Sequence, residues 1–472
     1  MALNANMVWE VRTTGADTNG GAFKTGASGT DWSQQDGTQY AVTDGVTAGT
    51  TTITSATANF GTDVVGNLIY VTGGTGSITA DWYEITVRTN STTITVDRST
   101  GLSVGTGATL NIGGALKSPA IPAGKVTTGN DVWIKAGTYS ITSASTNVAN
   151  GCVSAAVGGT SGTNIARWEG YNATRGDKGT SPLLQASGIS GATLFAITTA
   201  PTAICVDNIA VDGATLGTMT GFSFDSSRSS AIRCTAKNCT VNGMIHPGNS
   251  SEFWFYRCTA TGCSGTSGFN SGGAGDDFLF CESYGNTCVG FVLGATSASV
   301  VFCIASGNTG ANIHGFSITS RNGTFTNCIA YGNGAHGFFV NGANGAVVFT
   351  NCLGVNNNLT TAGYNFKAGG VTQGAELFNC GGYNTSTGNV DPNLPNNTSF
   401  ITLTGDPFTN SGTGDFSLNN TASQGAACRA AGYPGLMPRG TSTGYHDIGA
   451  VQHADPAGSG GTLSLVGGGL VF

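Results

Sequence analysis

Seven cysteines, Cys234, Cys258, Cys281, Cys303, Cys328, Cys352 and Cys380, follow one another at intervals of 24, 23, 22, 25, 24 and 28 residues. Other columns advance with them. Three residues before each of the last six stands an apolar residue: Phe255, Phe278, Val300, Phe325, Phe349 and Leu377. Two residues after each cysteine is something small, from Ala236 and Ala260 through Ser283, Ala305 and Ala330 to Gly354 and Gly382. Gly-Asn follows at Gly285–Asn286, Gly307–Asn308 and Gly332–Asn333. A glycine before Met, Phe or Tyr comes next, as in Gly243–Met244, Gly268–Phe269, Gly315–Phe316 and Gly363–Tyr364. A fixed period of this kind is the mark of a solenoid. The Leu-x-x-Leu-x-Leu pattern of leucine-rich repeats is absent, and there is no helical periodicity. The fold this implies is all-β: a right-handed, single-stranded parallel β-helix, in which equivalent residues of successive coils stack about 4.8 Å apart.

The columns then acquire roles. Apolar residues build interior ladders. Glycine supplies positive φ at the bends, and asparagine tolerates the left-handed conformation there. Cysteine is small and buries well, so the seven cysteines form a structural ladder beside the small residues. Cys239, Cys263 and Cys288 form a candidate second ladder. Disulfides and zinc are the competing readings, but one residue per coil is a poor tetrahedral cage, so no metal and no cofactor is expected.

Gly accounts for 76 of 472 residues, more than double the usual ~7%. Charged residues are 9%, hydrophobic residues 39%, and net charge is −7. That is a folded, turn-rich β protein rather than a disordered chain. Weak acidity without a Lys/Arg cluster excludes a nucleic-acid partner as an expectation. No apolar run approaches the ~20 residues that span a bilayer, so no membrane insertion is expected. MALNANMVWEVRTTG lacks the pattern of a secretory signal, and with an odd 13 cysteines a full disulfide framework is not expected.

Four segments are expected: 1–40, a leading and attachment segment; 41–115, an inserted small β-barrel or sandwich; 116–455, the parallel β-helix; and 456–472, a Gly-rich C-terminal assembly tail. The inserted part carries TTTITSA, NLIYVTG, WYEITVR and STTITVDRS, which alternate in period two between Gly-rich turns. GNDVWIKAGTYSIT (Gly129 to Thr142) resembles the first coil of pectate-lyase-like β-helix proteins. VWEVRTTGADTNGGAF resembles the strand and turn that precede such coils, and YHDIGAVQH (Tyr445 to His453) their last coil, where Asp-Ile-Gly-Ala runs into a closing strand. With the repeat, the inserted β-domain and a terminal Leu-Val-Phe, the chain resembles phage virion proteins of the β-helix kind: tailspikes and capsid decoration or fibre proteins. The resemblance implies a homotrimer on the surface of a phage particle, with other virion proteins (capsid or tail) as partners and host surface polysaccharide as a further one.

The resemblance leaves three functions open: a structural virion protein requiring no catalytic residues, a polysaccharide depolymerase, and a bacterial surface adhesin, which the missing signal sequence disfavours. Glycan hydrolysis needs two carboxylates about 5 to 9.5 Å apart. The candidates are Glu252, Asp276, Asp277 and Glu282, with Glu252 and Asp276 expected on one face of neighbouring coils. Solvated acids at turns are the alternative. Trp254 and Tyr256 in SEFWFYRC are candidate glycan-stacking residues; they share one face of a strand and Phe255 takes the other, and either face could be the interior one. His314 and His336 hold the same place before Gly-Phe and should stack.

Overall fold

The computed structural model describes residues 3, 6–156, 158–159, 165–198, 203–248, 251–294, 296–319, 322–341, 346–359, 362–370, 374–394, 396–433 and 446–452. The chain forms two compact units, Met1–Gly217 and Thr218–Phe472. The 456–472 segment, with its expected assembly role, lies outside the described residues.

In the first unit, strand Met7–Val11 pairs antiparallel with Ala22–Lys24 and parallel with Asp131–Lys135. Between them sits a closed six-strand antiparallel barrel: Tyr40–Ala48, Thr52–Thr54, Thr93–Val96, Asp81–Asn90, Leu68–Thr72 and Val104–Ile112, with the last pairing back to the first. Alternation puts Ile53, Ile69, Val71, Tyr83, Ile85, Ile94, Leu110 and Ile112 in its core. Coils follow, with first strands Asp131–Lys135, Ala166–Tyr171 and Ile204–Asp207 stacked in parallel register.

The second unit is a parallel β-helix of eight coils, each contributing one strand to each of three sheets. The first-strand sheet aligns Phe255, Phe278, Val300, Phe325, Phe349 and Leu377 in one interior column. The second-strand sheet aligns the small residues from Ala236 to Gly382. The third aligns Met244, Phe269, Phe291, Phe316, Phe338 and Phe366. Successive Phe rings of this column stack at 4.7–4.9 Å, one inter-strand spacing. Phe366, not the expected Tyr364, continues the column: the coil is longer at that point, and Asn365 fills the interior position beside it.

The seven ladder cysteines are fully buried and hold no disulfide. Six donate to the coil before: Cys258 to the carbonyl of Ala231 (3.2 Å), Cys281 to Phe255 (3.3 Å), Cys328 to Val300 (3.3 Å), and likewise for Cys303, Cys352 and Cys380. Each acceptor stands three residues before the preceding cysteine, so thiol and apolar columns are coupled. Cys239 and Cys263 begin a column that continues not in Cys288 but in Asn286, because the residues after Cys263 and Asn286 donate to the carbonyls of Cys239 and Cys263 in register.

That column corrects the expected role of asparagine. In Gly-Asn the glycine takes the left-handed bend, with φ of 62°, 58° and 60° at Gly285, Gly307 and Gly332. The asparagine turns inward. Asn286 Nδ2 donates to Asn308 Oδ1 at 2.8 Å, Asn308 to Asn333 at 2.9 Å, Asn333 to Asn357 at 2.9 Å and Asn357 to Asn365 at 2.8 Å. All five are buried. The Gly of Gly-Phe makes room for them: a Cβ on Gly290 would lie 2.9 Å from Asn308 Nδ2, and one on Gly315 2.8 Å from Asn333 Nδ2. The Gly-Asn and Gly-Phe pairs therefore recur together because one amide column and one glycine column share the same space.

The residue before each ladder cysteine also bends left-handed, with φ between 48° and 55°. Asn327, Asn351 and Asn379 occupy this bend where the C-terminal part of the chain returns along it. Asn327 Nδ2 donates to the carbonyls of Asp447 and Gly449, Asn379 to that of Ala431, and Asn351 accepts from the Tyr433 amide. His446–Gln452 form no strand but pack sideways, with Ile448 buried against Ile304, Ile329 and Leu353. The expected closing strand is thus a lateral strap; Tyr445 and His453 lie outside the described residues.

Candidate functional site

The strand Phe253–Tyr256 decides the orientation of the candidate residues. Phe253 and Phe255 are buried, Tyr256 is half-buried, and Trp254 is 42% exposed. The outer face therefore carries Trp254 and Tyr256. On the next coil Asp277 stands beside Trp254 and Leu279 beside Tyr256. Ser299 stands beside Asp277 on the coil beyond, and burial holds the Asp277 carboxyl above the usual carboxylate range.

Asp276 points the other way. It is fully buried, with His246 Nδ1 at 2.9 Å from Oδ2 and 2.8 Å from Oδ1, and it accepts a 2.5 Å hydrogen bond from the Ser271 hydroxyl. His246 stacks on Phe253. Glu252 is exposed at a left-handed bend (φ 60°) and reaches Arg228 at 3.4 Å. The expected common face for Glu252 and Asp276 is thus corrected: side chains alternate along the strand, and the two lie on opposite sides of the wall. Glu282 belongs to the second-strand sheet, beyond the bend at Phe280; it is exposed, and partial loss of water raises its carboxyl.

His314 and His336 stack at 5.1 Å and 8°, with Phe339 4.3 Å from the first ring. The backbone amide of His336 donates to His314 Nδ1 and that of Tyr364 to His336 Nδ1. Both Nδ1 atoms are acceptors, so the neutral rings carry their proton on Nε2, where a metal would have to bind. Burial pushes both imidazoles down to about 4, helped by the neighbouring His336 for one and by Lys367 for the other. An unfolded histidine titrates near ~6.5. The folded state therefore binds fewer protons, and the stability these rings contribute is present above about pH 6.5 and lost as pH falls towards about 4. Thermal melts from pH 7 to 4 should show a shallower acid decline for the His314→Asn/His336→Asn variant, which keeps both amide acceptors; equal slopes would rule the pair out as the cause.

A further group of charges lies in the first unit, outside the four carboxylates that the sequence singled out. Glu10, Trp133, Glu169 and Asp207 align across successive first strands. The segment after Tyr171 brings cations to them. Arg175 reaches Glu10 at 2.7 Å and Asp31 at 3.2 Å, and Lys178 reaches Glu169 at 2.7 Å and Asp207 at 3.0 Å. Asp177 anchors this segment by accepting from the amides of Asn172, Ala173 and Thr174. Asp131, beside Arg167, is pushed up to about 6, chiefly by burial. Such a closed network locks a loop to a sheet. Asp131, on the same sheet, is the group suited to give up a proton near neutral pH.

No family model matches the chain, and no curated protein matches it. Among solved structures it is similar to pectate lyase Pel9A at 14% identity, covering 71% of this chain and 91% of that one, with a TM-score of 0.47. An alginate lyase from Paenibacillus sp. str. FPU-7 aligns at 12% identity over 60% of this chain and 95% of that one, TM-score 0.41. Full-length tailspike protein 2 from Escherichia coli O157:H7 bacteriophage CAB120 aligns at 12% identity over 66% of this chain, TM-score 0.43; this chain spans 41% of its length. The β-helix assignment rests on the strand pairings, not on these likenesses.

Proposed function

We propose that this chain is a homotrimeric structural component of a tailed-phage particle, displaying its β-helix outward and engaging host surface polysaccharide without cleaving it. The observation that carries the glycan part is the exposed Trp254 indole, in register with Asp277 on a parallel sheet. A flat apolar ring exposed on a sheet, with an acid beside it, suits stacking against a sugar ring. The acids around it support a non-cleaving role: Asp276 is interior and Glu252 is turned to Arg228. The virion part is supported by the architecture, a small barrel inserted before stacked coils, together with the sequence resemblance. The second reading, a depolymerase, is favoured by Asp131, whose raised carboxyl lies on the sheet that carries Glu169.

Light scattering of the purified chain should give three times the 47.3 kDa chain mass. Incubation with capsule from susceptible cells should retain the protein on the polysaccharide and release neither reducing ends nor unsaturated sugars. Product release abolished by Asp131→Asn would establish the depolymerase instead, and a monomer that binds no particle would remove the virion reading.

A further inference from the structure

The column of left-handed bends changes character along the β-helix. Asn327, Asn351 and Asn379 lie under the C-terminal strap, and asparagine tolerates this conformation. On the first ladder coil Arg233 makes the same bend, at φ of 52°, and on the next three Arg257, Phe280 and Phe302 make it, at φ of 53°, 54° and 54°. Left-handed backbone is unfavourable for arginine and phenylalanine, and such outliers concentrate at functional positions. The side chains of Arg257, Phe280 and Phe302 form one continuous strip. Phe280 and Phe302 stack at 5.1 Å and 4°, Tyr256 meets Phe280 edge-on at 5.9 Å, and the Arg257 guanidinium lies 5.2 Å over Tyr256 and 5.9 Å over Phe280. Arg257 is exposed, and among the described residues it holds no ion pair with a carboxylate. Trp254 stands two residues before Tyr256 on the same outer face.

We infer that this strip reads an acidic saccharide: Trp254 stacks on a sugar ring, and Arg257, steered by Tyr256 and Phe280, pairs with a sugar carboxylate. The inference rests on the glycan-engaging reading above and adds the ligand's charge and the residue that selects it. A guanidinium held over aromatic faces is partly stripped of water and keeps its planar fork free, which suits a carboxylate. Charge complementarity favours this occupant: Arg257 is an exposed cation that holds no carboxylate ion pair among the described residues, and it lies beside aromatic faces that suit a sugar ring.

The test uses Arg257→Asn, because asparagine is the residue that the same fold places at this bend three times. The variant should melt at or above the wild-type temperature. Titration calorimetry on the full chain with oligomers of galacturonate, mannuronate and sialate, each paired with its carboxyl-reduced form, is expected to show at least tenfold tighter binding of one acidic form. Arg257→Asn should remove that preference, and Trp254→Ala should remove binding of both forms. Equal affinity for acidic and reduced oligomers, or an unchanged preference in Arg257→Asn, overturns the inference and leaves the glycan reading standing. A change of oligomeric state in Arg257→Asn without a change in affinity assigns the strip to a chain–chain contact and also overturns it. Binding of no oligomer and no host polysaccharide overturns both.

Discussion

Asp276→Ala is expected to destabilise the β-helix by about 3–5 kcal/mol, as two buried partners left unpaired at about 1–3 kcal/mol each together with the void the side chain leaves. Asp276 lies inside the solenoid with no exposure, where its Oδ2 serves both His246 Nδ1 and the Ser271 hydroxyl. Alanine would leave an imidazole and a hydroxyl without that acceptor among Phe253, Phe269 and their neighbours, and it would open a void. Asp276→Asn keeps the shape and an acceptor oxygen and should recover a large part of the loss. Asp277→Ala, one residue away but on the outer face, should cost about 1 kcal/mol or less, because water replaces what it gives up. Denaturant melts of the three variants check the order. A loss below about 1 kcal/mol for Asp276→Ala would sink the assignment of a buried His–Asp pair. The prediction also bears on function: lost glycan activity in Asp276→Ala is to be read against its folded fraction, not as evidence of catalysis.

The parity that separates these two acids was legible in the sequence. Phe278 stands three residues before Cys281 and belongs to the interior column, so Asp276, two residues earlier, shares its face and Asp277 does not. Glu252, six residues before Cys258, falls on the outer parity with Trp254 and Tyr256. Counting spacing without parity put Glu252 and Asp276 together. The stacked coils and the apolar ladders were readable because each column recurs within a residue or two of its period. The amide ladder was only half readable: Gly-Asn gave the bend, but the inward turn of asparagine depends on the glycine column beside it, a contact between neighbouring coils such as that of Asn308 with Gly290, 18 residues earlier in the chain. Tyr364 was misplaced because extra residues lengthen that coil, and a column counted by motif slips where the length changes. The charges around Glu10, Glu169 and Asp207 were not readable at all. They belong to coils of uneven length, and the Arg175–Lys178 segment that pairs them has no counterpart in the repeat.

Asn308→Ala is expected to loosen the coils on either side of it by roughly 3–5 kcal/mol, as a sum of buried groups left unpaired at about 1–3 kcal/mol each and partly relaxed. Asn308 Oδ1 accepts from Asn286 Nδ2 at 2.8 Å and from the Asn286 amide at 3.4 Å, and its Nδ2 donates to Asn333 Oδ1 at 2.9 Å and to the Ser283 carbonyl at 3.1 Å. None of these partners has water at hand: Asn286, Asn333 and Ser283 are all buried. Bonds in such a column polarise one another, so the middle member matters more than an end member. Asn389 is that end member. It is half-buried and accepts from Asn365 at 2.8 Å, so Asn389→Ala should cost about 1 kcal/mol. Asn308→Leu, close in volume, should be nearly as damaging as alanine, since the loss is in polar pairing and not in filled space. Because coils in a solenoid hold mainly to their neighbours, the damage should be local. Hydrogen exchange in Asn308→Ala should quicken at the amides of Asn286, Asn308 and Asn333, and remain unchanged in the six-strand barrel. Uniform quickening across the chain, or none at Asn286 and Asn333, would show that the amide column does not carry this part of the wall.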